Sequence, residues 1–444
     1  MNKVKEELIS LGNSINLVSF ILITICFALW GFTNDITGVM VSAFSKIFQL
    51  NTMEGGLINV ANSLGYLVFA IPAAMFMMRN TFKSGVMFSL GLYALGIMLL
   101  LPARMVGEFW GFLMAYFIMT CGSAAVETCC HPLIYNLGKE STGIIRLNLA
   151  QAFNSLGAVV GIFVATDYIQ SSLSSASAET RAEMPAIQEH VLRMHDLDIV
   201  ISPYLILVMI IALLIVFIRI TKMPASHDER NDEKPKEAFR KLLKIRNYRE
   251  GIIAEFFYIG AQICCLTFLI VYARRVFTDE GMYVSDIDVL IKKYSLLTII
   301  LYAVMRFACT ALLVYFKPGR LLSVMGIIAT GAILGAIIFT DRNGLYCIVI
   351  ACAAMSLMFP TIYGIALRGL GTDIKYASAG LTMTVFAGAV FPTLQAAIID
   401  LDISLFGLPA VNWSFIVPLA CFAVVAVYGH RGYIRHSITH DYVS

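Results

Sequence analysis

The 444-residue sequence is short of charge. Only 14% of its residues are Asp, Glu, Lys or Arg, while 59% are hydrophobic and the mean hydropathy is +0.80. Soluble globular domains carry about 25% charged residues. The shortage of charge therefore excludes an ordinary soluble domain and indicates a polytopic membrane protein. The net charge of +3 is small and gives no reason to expect a nucleic-acid partner.

The sequence also lacks the patterns of a metal site, a disulfide framework or an enzyme. Its ten cysteines lie mostly in apolar segments, where cysteine behaves as a small hydrophobic residue, and their spacing is not typical of zinc ligands. The apolar segments contain no nucleophile and base at a catalytic spacing. We therefore expect no metal, no cofactor and no enzymatic activity.

Long apolar segments are what the sequence does contain. A helix of about 18 or more nearly uncharged residues can cross the hydrocarbon core of a bilayer. Twelve such segments occur, at approximately residues 17–43, 56–78, 85–103, 109–136, 147–169, 200–221, 252–273, 294–316, 321–340, 344–367, 376–399 and 411–429. The first is too long for a signal-peptide core and has no clear cleavage site, so it is interpreted as the first span. The sequence thus predicts an all-α protein with twelve transmembrane helices.

The basic residues predict the orientation and the division of the chain. Lys and Arg accumulate in cytoplasmic loops, and most of the 32 fall on one side if both termini are cytoplasmic. Residues 222–250 form a long charged stretch between the sixth and seventh spans. We therefore predict an N-terminal six-helix bundle at 1–221, a cytoplasmic linker at 222–250 and a C-terminal six-helix bundle at 251–444.

A short internal repeat supports two related halves. Pro132–Tyr135 reads PLIY near the inner end of span 4, and Pro360–Tyr363 reads PTIY near the inner end of span 10. A Gly-containing polar turn and a new span follow each of them. Duplicated halves are typical of transporters, in which two bundles move about a central site near the bilayer midplane.

Ionisable residues inside the spans are candidates for function, because a charged side chain costs about 2.5–3.5 kcal/mol at the centre of a membrane helix. The clear cases are Asp35, Glu127, Glu255 and Arg306. Glu127 lies near mid-membrane, where burial disfavours the ionised form of a carboxyl group, so it could take up and release a proton. Asp35 is a second proton-coupling candidate; the alternative is a structural pairing with the backbone or with Arg306.

His131 follows Glu127 by four residues and therefore lies on the same helical face. The spacing allows a proton relay between the two side chains. It equally suits a structural histidine beside Pro132.

Amide side chains are the candidates for binding hydroxyl groups, since an amide both donates and accepts hydrogen bonds. Gln151 and Asn154 share a face of span 5, Asn34 precedes Asp35, and Gln262 lies one turn from Tyr258. With Asp35 and Glu127, these four amides form the predicted substrate site.

Three further residues have two interpretations each. Glu255 and Arg306 could form a gating ion pair or make packing contacts. Trp30 could stack on a sugar ring or pack between helices.

The segment Glu127–Ala158, ETCCHPLIYNLGKESTGIIRLNLAQAFNSLGA, closely resembles the span 4 to span 5 region of the fucose, galactose and glucose symporter family of the major facilitator superfamily. Weaker similarity covers nearly the whole chain. The resemblance implies the major facilitator fold and a carrier that moves sugar inward with a proton, with L-fucose as the leading candidate. It also implies that Glu127 couples proton and sugar, and that Gln151 and Asn154 contact the sugar.

The chain departs from the family at three positions beside the predicted site. The family's span 1 acid falls on Gly38 here, while Asp35 takes the place of an amide, and His131 replaces an Asn. Either the coupling acid has moved by about one helical turn, or the coupling differs.

The resulting expectation is a proton-driven monosaccharide symporter, monomeric and multi-pass in a bacterial inner membrane. Its partners would be a sugar, protons as the coupling ion, and the lipid bilayer. Two alternatives stay open. One is a carrier or facilitator for another hexose or an amino sugar, and the other is a non-transporting sugar sensor.

Overall fold

The computed structural model describes residues 14–50, 52–174, 176, 180–181, 183–223, 234–405 and 407–441. Within these ranges the chain is nearly all helix, and twelve helical segments are long and apolar enough to cross a membrane. The predicted all-α architecture is therefore confirmed.

The twelve segments are numbered in chain order. They are α1 Ser14–Ile47, α2 Thr52–Arg79, α3 Phe82–Met98 with Leu100–Val106, α4 Phe109–Asn136, α5 Gly143–Phe163 with the π-helical Val164–Gln170, α6 Ala186–Ile220, α7 Arg246–Asp279, α8 Val284–Leu312, α9 Pro318–Ile338, α10 Arg342–Ala354 with Met358–Leu367, α11 Ile374–Met383 with Ala387–Asp400, and α12 Ile416–Asp441. The short helix Pro235–Leu242, between α6 and α7, is called the linker helix. The N-terminal half denotes α1–α6, and the C-terminal half denotes α7–α12.

Several helices extend beyond the apolar segments that predicted them. α6 begins at Ala186 and α8 at Val284, each more than two turns before its predicted start. Hydropathy detects only the apolar part of a helix, whereas helical hydrogen bonding continues through polar residues. For the same reason part of the predicted linker is helical, and α7 already begins at Arg246.

α10 is interrupted by a turn of 3-10 helix at Met355–Leu357. Such an interruption disturbs the regular backbone hydrogen bonds, which must be satisfied otherwise inside a membrane protein. Side chains supply the partners here. The Tyr258 hydroxyl donates to the Met355 carbonyl at 3.3 Å, and Arg306 Nε donates to the Ser356 carbonyl at 2.6 Å. These contacts fix α10 against α7 and α8.

α1 and α5 approach closely because glycines lie at their interface. A Cβ atom added at Gly157 would lie 2.0 Å from the Ala28 carbonyl oxygen, and one added at Gly31 would lie 2.0 Å from the Asn154 carbonyl oxygen. Small residues permit such backbone contact between membrane helices. The close packing brings Asn154 and Gln151 of α5 beside Trp30 of α1.

Candidate functional site

A cavity of about 560 Å³ lies between the N-terminal and C-terminal halves. This volume falls within the range of roughly 300–1,000 Å³ found for small-molecule sites. The polar side chains that line it are Asn34, Asn62, Tyr66, Tyr116, Glu127, Gln151, Asn154, Ser155, Gln262, Ser295, Thr298, Tyr302 and Arg306. The apolar lining includes Trp30, Ile259, Ile263, Leu266, Leu269, Ile270 and Phe359. The mixed lining suits a small ligand with both hydroxyl groups and apolar C–H faces.

The cavity lies about midway along the helices. Its lining residues run from Ile259 to Ile270 on α7 and from Ser295 to Arg306 on α8. We call the end of the bundle where α7 ends and α8 begins the open end, because the described hydrogen bonds between the halves lie at the middle of the bundle and at its other end. At the opposite end, which carries the linker helix, polar contacts join the two halves, and we call it the closed end.

Three of these contacts show how the closed end is held. Asn148 Nδ2 lies 3.2 Å from Thr361 Oγ1, and Ser378 Oγ donates to the Thr128 carbonyl at 2.6 Å. Lys375 Nζ donates to the Met77 carbonyl at 3.1 Å. Each pair joins the N-terminal half to the C-terminal half.

Glu127 lies in the cavity wall, as the sequence predicts for a functional acid. Its side chain is only 1% exposed, and neither carboxyl oxygen has a hydrogen-bond partner among the residues that the structure describes. An ionised carboxylate in such a position is costly because nothing compensates its lost hydration. A neutral, protonated carboxyl group suits this conformation.

His131 contacts the backbone of Glu127. Its Nδ1 lies 2.8 Å from the Glu127 carbonyl oxygen, and its Nε2 lies 2.9 Å from Gln151 Nε2. A carbonyl only accepts, so Nδ1 carries the hydrogen, and Nε2 of the neutral ring accepts from the Gln151 amide. The ring also stacks on Tyr363, with the ring centroids 4.5 Å apart. His131 therefore orients Gln151, and the relay with the Glu127 carboxyl stays a prediction.

Arg306 connects the two halves at the base of the cavity. Nη1 donates to Ser155 Oγ at 2.8 Å and to the Gln151 carbonyl at 3.1 Å, while Nη2 donates to the Tyr302 hydroxyl at 2.6 Å. Its hydrogen-bond partners within the described ranges are neutral, and Glu255 is not one of them. The geometry thus favours a hydrogen-bonded bridge over an ion pair with Glu255.

The predicted amides meet at the cavity. Asn34, Gln151, Asn154 and Gln262 all line it. Asn154 Nδ2 donates to the Phe27 carbonyl at 3.0 Å, and Gln262 Nε2 donates to the Tyr302 hydroxyl at 3.2 Å. Asn154 is thus held in place within the N-terminal half, and Gln262 within the C-terminal half. Asp35 and Gly38 both belong to α1, and the side chain of Asp35 lies outside the described part of the chain.

Sequence reasoning missed several lining residues. Tyr66 accepts from Trp30 Nε1 at 3.0 Å and lies 3.2 Å from Ser123 Oγ, while Tyr116 donates to Asn62 at 3.4 Å. Tyrosines are frequent in this chain, so their presence in a span gave no signal. Trp30 lines the cavity and is hydrogen-bonded to Tyr66 of α2, a contact between helices. Stacking of Trp30 on a sugar ring stays a prediction.

Within the described part of the chain, twelve helices long and apolar enough to cross a membrane surround a central cavity that is open at one end and shut at the other. This arrangement defines an alternating-access membrane carrier. The chain belongs to the Major Facilitator Superfamily, whose family model matches residues 21–394.

Two curated relatives and two solved structures cover nearly the whole chain. The L-fucose-proton symporter of Haemophilus influenzae is 39% identical over 94% of this chain and 97% of its own length. The L-fucose-proton symporter of Escherichia coli K12 is 30% identical over 93% and 92%.

The crystal structure of the transporter FucP in the outward conformation has a TM-score of 0.85 and 30% identity, covering 94% of this chain and 99% of that one. A structure of a variant of the E. coli fucose:proton symporter has a TM-score of 0.84 and 29% identity with the same coverage. The expected superfamily and fold are confirmed. The expectation that this chain is not an enzyme is also confirmed, since these relatives are transporters.

Proposed function

We propose that this protein is a proton-coupled symporter that carries a neutral monosaccharide, first of all L-fucose, into the cell by alternating access. The main support for the proposal is the position of Glu127 in the wall of a cavity lined by amides. Its carboxyl group is buried and has no hydrogen-bond partner in the part of the chain that the structure describes. The two L-fucose-proton symporters, which align over nearly the whole chain, support the same sugar.

The cavity residues have separate roles in this proposal. A proton on Glu127 neutralises the cavity wall, and Gln151, Asn154 and Gln262 bind sugar hydroxyl groups. Asn34 contributes another amide, and Asp35 is proposed as a second coupling acid. The sugar leaves when the two halves rock, so that the open end closes and the closed end opens.

The same proposal includes the organisation of the chain in the membrane. The halves 1–221 and 251–444 are joined by the linker 222–250, and both termini lie in the cytoplasm. The protein functions as a monomer in the bacterial inner membrane.

A second candidate substrate is another hexose. The glucose/galactose transporter of Brucella abortus is 27% identical over 92% of this chain, which favours a carrier or facilitator for glucose or galactose as the alternative.

Uptake of labelled sugars by reconstituted full-length protein, with and without a pH gradient, tests the proposal. A proton gradient of one pH unit stores about 1.4 kcal/mol, enough for roughly tenfold accumulation. We expect the wild-type protein to accumulate L-fucose and to acidify the vesicle lumen as it does so. Asp35→Asn and Glu127→Gln should lose the accumulation.

Glu108→Gln is the matched control, because this exposed acid directly precedes α4. Accumulation of sugar without proton movement would contradict symport. Retained accumulation in both Asp35→Asn and Glu127→Gln would show that neither acid couples the proton.

A further inference from the structure

Glu255 is a second buried acid that the cavity does not reach. It lies about two and a half turns from the Arg246 end of α7. Its exposed fraction is 0%, and neither carboxyl oxygen has a hydrogen-bond partner within the described ranges. Glu255 is absent from the cavity lining, whereas Glu127 belongs to it. The two acids thus differ in their access to the open end.

The surroundings of Glu255 provide no described positive charge to compensate an ionised carboxylate. The charged group within electrostatic range is Glu127, on α4 of the other half. The phenol groups of Tyr258 and Tyr363 also lie within electrostatic range of Glu255. Their hydroxyls are engaged with the Met355 carbonyl and with Ser378. Arg306 is occupied by its own neutral partners.

Ionisation of both carboxyl groups is disfavoured in such a setting, because burial and mutual repulsion both oppose it. While the closed end stays shut, Glu255 is therefore held as the neutral acid. A rocking motion that separates the halves at the closed end would admit water and remove both penalties. A change in hydration between the two conformations is what a proton-releasing group requires.

We propose that Glu255 is a second proton-binding group of the transport cycle, which holds its proton while the closed end is shut and releases it on that side when the halves separate. This inference rests on the proposed proton symport. At release, the O–H bond of the Glu255 carboxyl breaks, the proton passes to water entering from the closed end, and the carboxylate remains. Glu127, which exchanges with water in the cavity, resupplies the proton to Glu255 and becomes the carboxylate until it is protonated again.

Infrared spectroscopy of the full-length protein tests whether Glu255 carries a proton. A protonated carboxyl group has a carbonyl band that shifts when its hydrogen is exchanged for deuterium. We expect Glu127→Gln to remove a band that shifts rapidly in heavy water, and Glu255→Gln to remove one that shifts slowly. A Glu255→Gln spectrum identical to that of the wild-type protein overturns the proposal, whatever the protein transports.

Transport by the same variants tests whether the proton is used. In vesicles with labelled L-fucose, we expect Glu255→Gln to keep counterflow of sugar within about twofold of the wild-type rate. It should lose gradient-driven accumulation by about tenfold, the ratio that one pH unit supports. Glu255→Asp retains the carboxyl group and should restore accumulation.

Glu250→Gln is the control, since Glu250 lies on the same helix in an ion pair with Arg246. Accumulation by Glu255→Gln at the wild-type level overturns the proposal. So does loss of counterflow in both Glu255→Gln and Glu255→Asp, which would identify a structural role. Failure of the wild-type protein to accumulate sugar would instead overturn the proposed function, and the infrared bands would still decide whether Glu255 holds a proton.

Discussion

The open and closed ends of the molecule are built on the same helices but hold the two halves in different ways. Around the cavity the facing walls are separated by space for a ligand. At the closed end the halves pack against each other, for example where the His131 ring stacks on Tyr363. Single polar contacts also join them, such as Asn148 with Thr361 and Glu140 with the Gly369 amide at 2.7 Å. One hydrogen bond contributes only about 0.5–1.5 kcal/mol net, so these polar contacts can add to the packing and still break in each transport cycle.

Arg306 lies where the two regions meet. It lines the cavity, and from α8 it also donates hydrogen bonds to Ser155 of α5 and to the Ser356 carbonyl within α10. Arg306 is thus placed both to contact a ligand in the cavity and to respond to separation of the halves. Loss of the Arg306 side chain is therefore expected to affect both the cavity and the contacts between the halves.

Arg306→Met should have the largest effect. It leaves the buried Ser356 carbonyl, the Gln151 carbonyl and Ser155 without their shared donor. Hydrogen bonds to charged groups contribute about 1.5–3 kcal/mol, so we expect the rate of sugar uptake to fall by about 100-fold. Arg320→Met, at an exposed position, serves as the control. Uptake within twofold of wild type would show that the bridge is dispensable.

Lys375→Met should loosen the closed end. Lys375 is fully buried, donates to the Met77 carbonyl and lies over the Phe82 ring at 4.8 Å. Losing this charged contact should shift the population toward opening of the closed end by about tenfold or more. The measurement is the labelling rate of a cysteine introduced at Thr361, which is buried in the present conformation.

Lys83→Met is the matched control for this shift. Lys83 also donates to backbone carbonyls near the same end, but its partners, Arg219 and Thr221, belong to the same half. Its loss should leave the labelling rate unchanged. Equal labelling rates in both variants would mean that Lys375 does not hold the halves together.

Gly157→Ala should destabilise the wall of the cavity without touching the closed end. The added Cβ atom would lie 2.0 Å from the Ala28 carbonyl oxygen, so α1 and α5 must move apart. Overpacking of this kind costs about 1–3 kcal/mol. Thermal unfolding in detergent should show a lower midpoint.

Gly331→Ala on α9 is the control for overpacking, because nothing lies within 4 Å of its added Cβ atom. We expect an unchanged or slightly higher midpoint, since alanine favours helix over glycine. A midpoint of Gly157→Ala equal to that of Gly331→Ala would contradict the tight packing of α1 against α5.

The sequence predicted the open end better than the closed end. Glu127, Gln151 and Asn154 stand out as polar residues in apolar spans, and the structure brings them to one cavity. α4 also has its predicted bounds, since Glu108 and the turn after Asn136 interrupt the apolar run on both sides.

The closed end gave no such signal. Lys375 and Ser378 resemble ordinary residues near a loop, and their partners Met77 and Thr128 are backbone carbonyls far away in the sequence. Every residue has a backbone carbonyl, so the residue type does not reveal which carbonyl accepts a hydrogen bond. These contacts therefore could not be predicted from the sequence. The burial of Glu255 without a described hydrogen-bond partner could not be predicted from the sequence either, because it depends on how other helices pack around this side chain.

Gln262→Leu should have the smallest effect, and it tests the C-terminal wall of the cavity. Gln262 belongs to the C-terminal wall and donates to the Tyr302 hydroxyl, which in turn accepts from Arg306. Loss of one neutral hydrogen bond to the sugar, worth about 1 kcal/mol, should weaken L-fucose binding by about fivefold. Equilibrium binding to Gln262→Leu, Tyr302→Phe and the double variant measures whether the two residues act together. If Gln262 contacts the sugar directly, Gln262→Leu weakens binding in both backgrounds; if it only orients Tyr302, its effect disappears once Tyr302 is Phe.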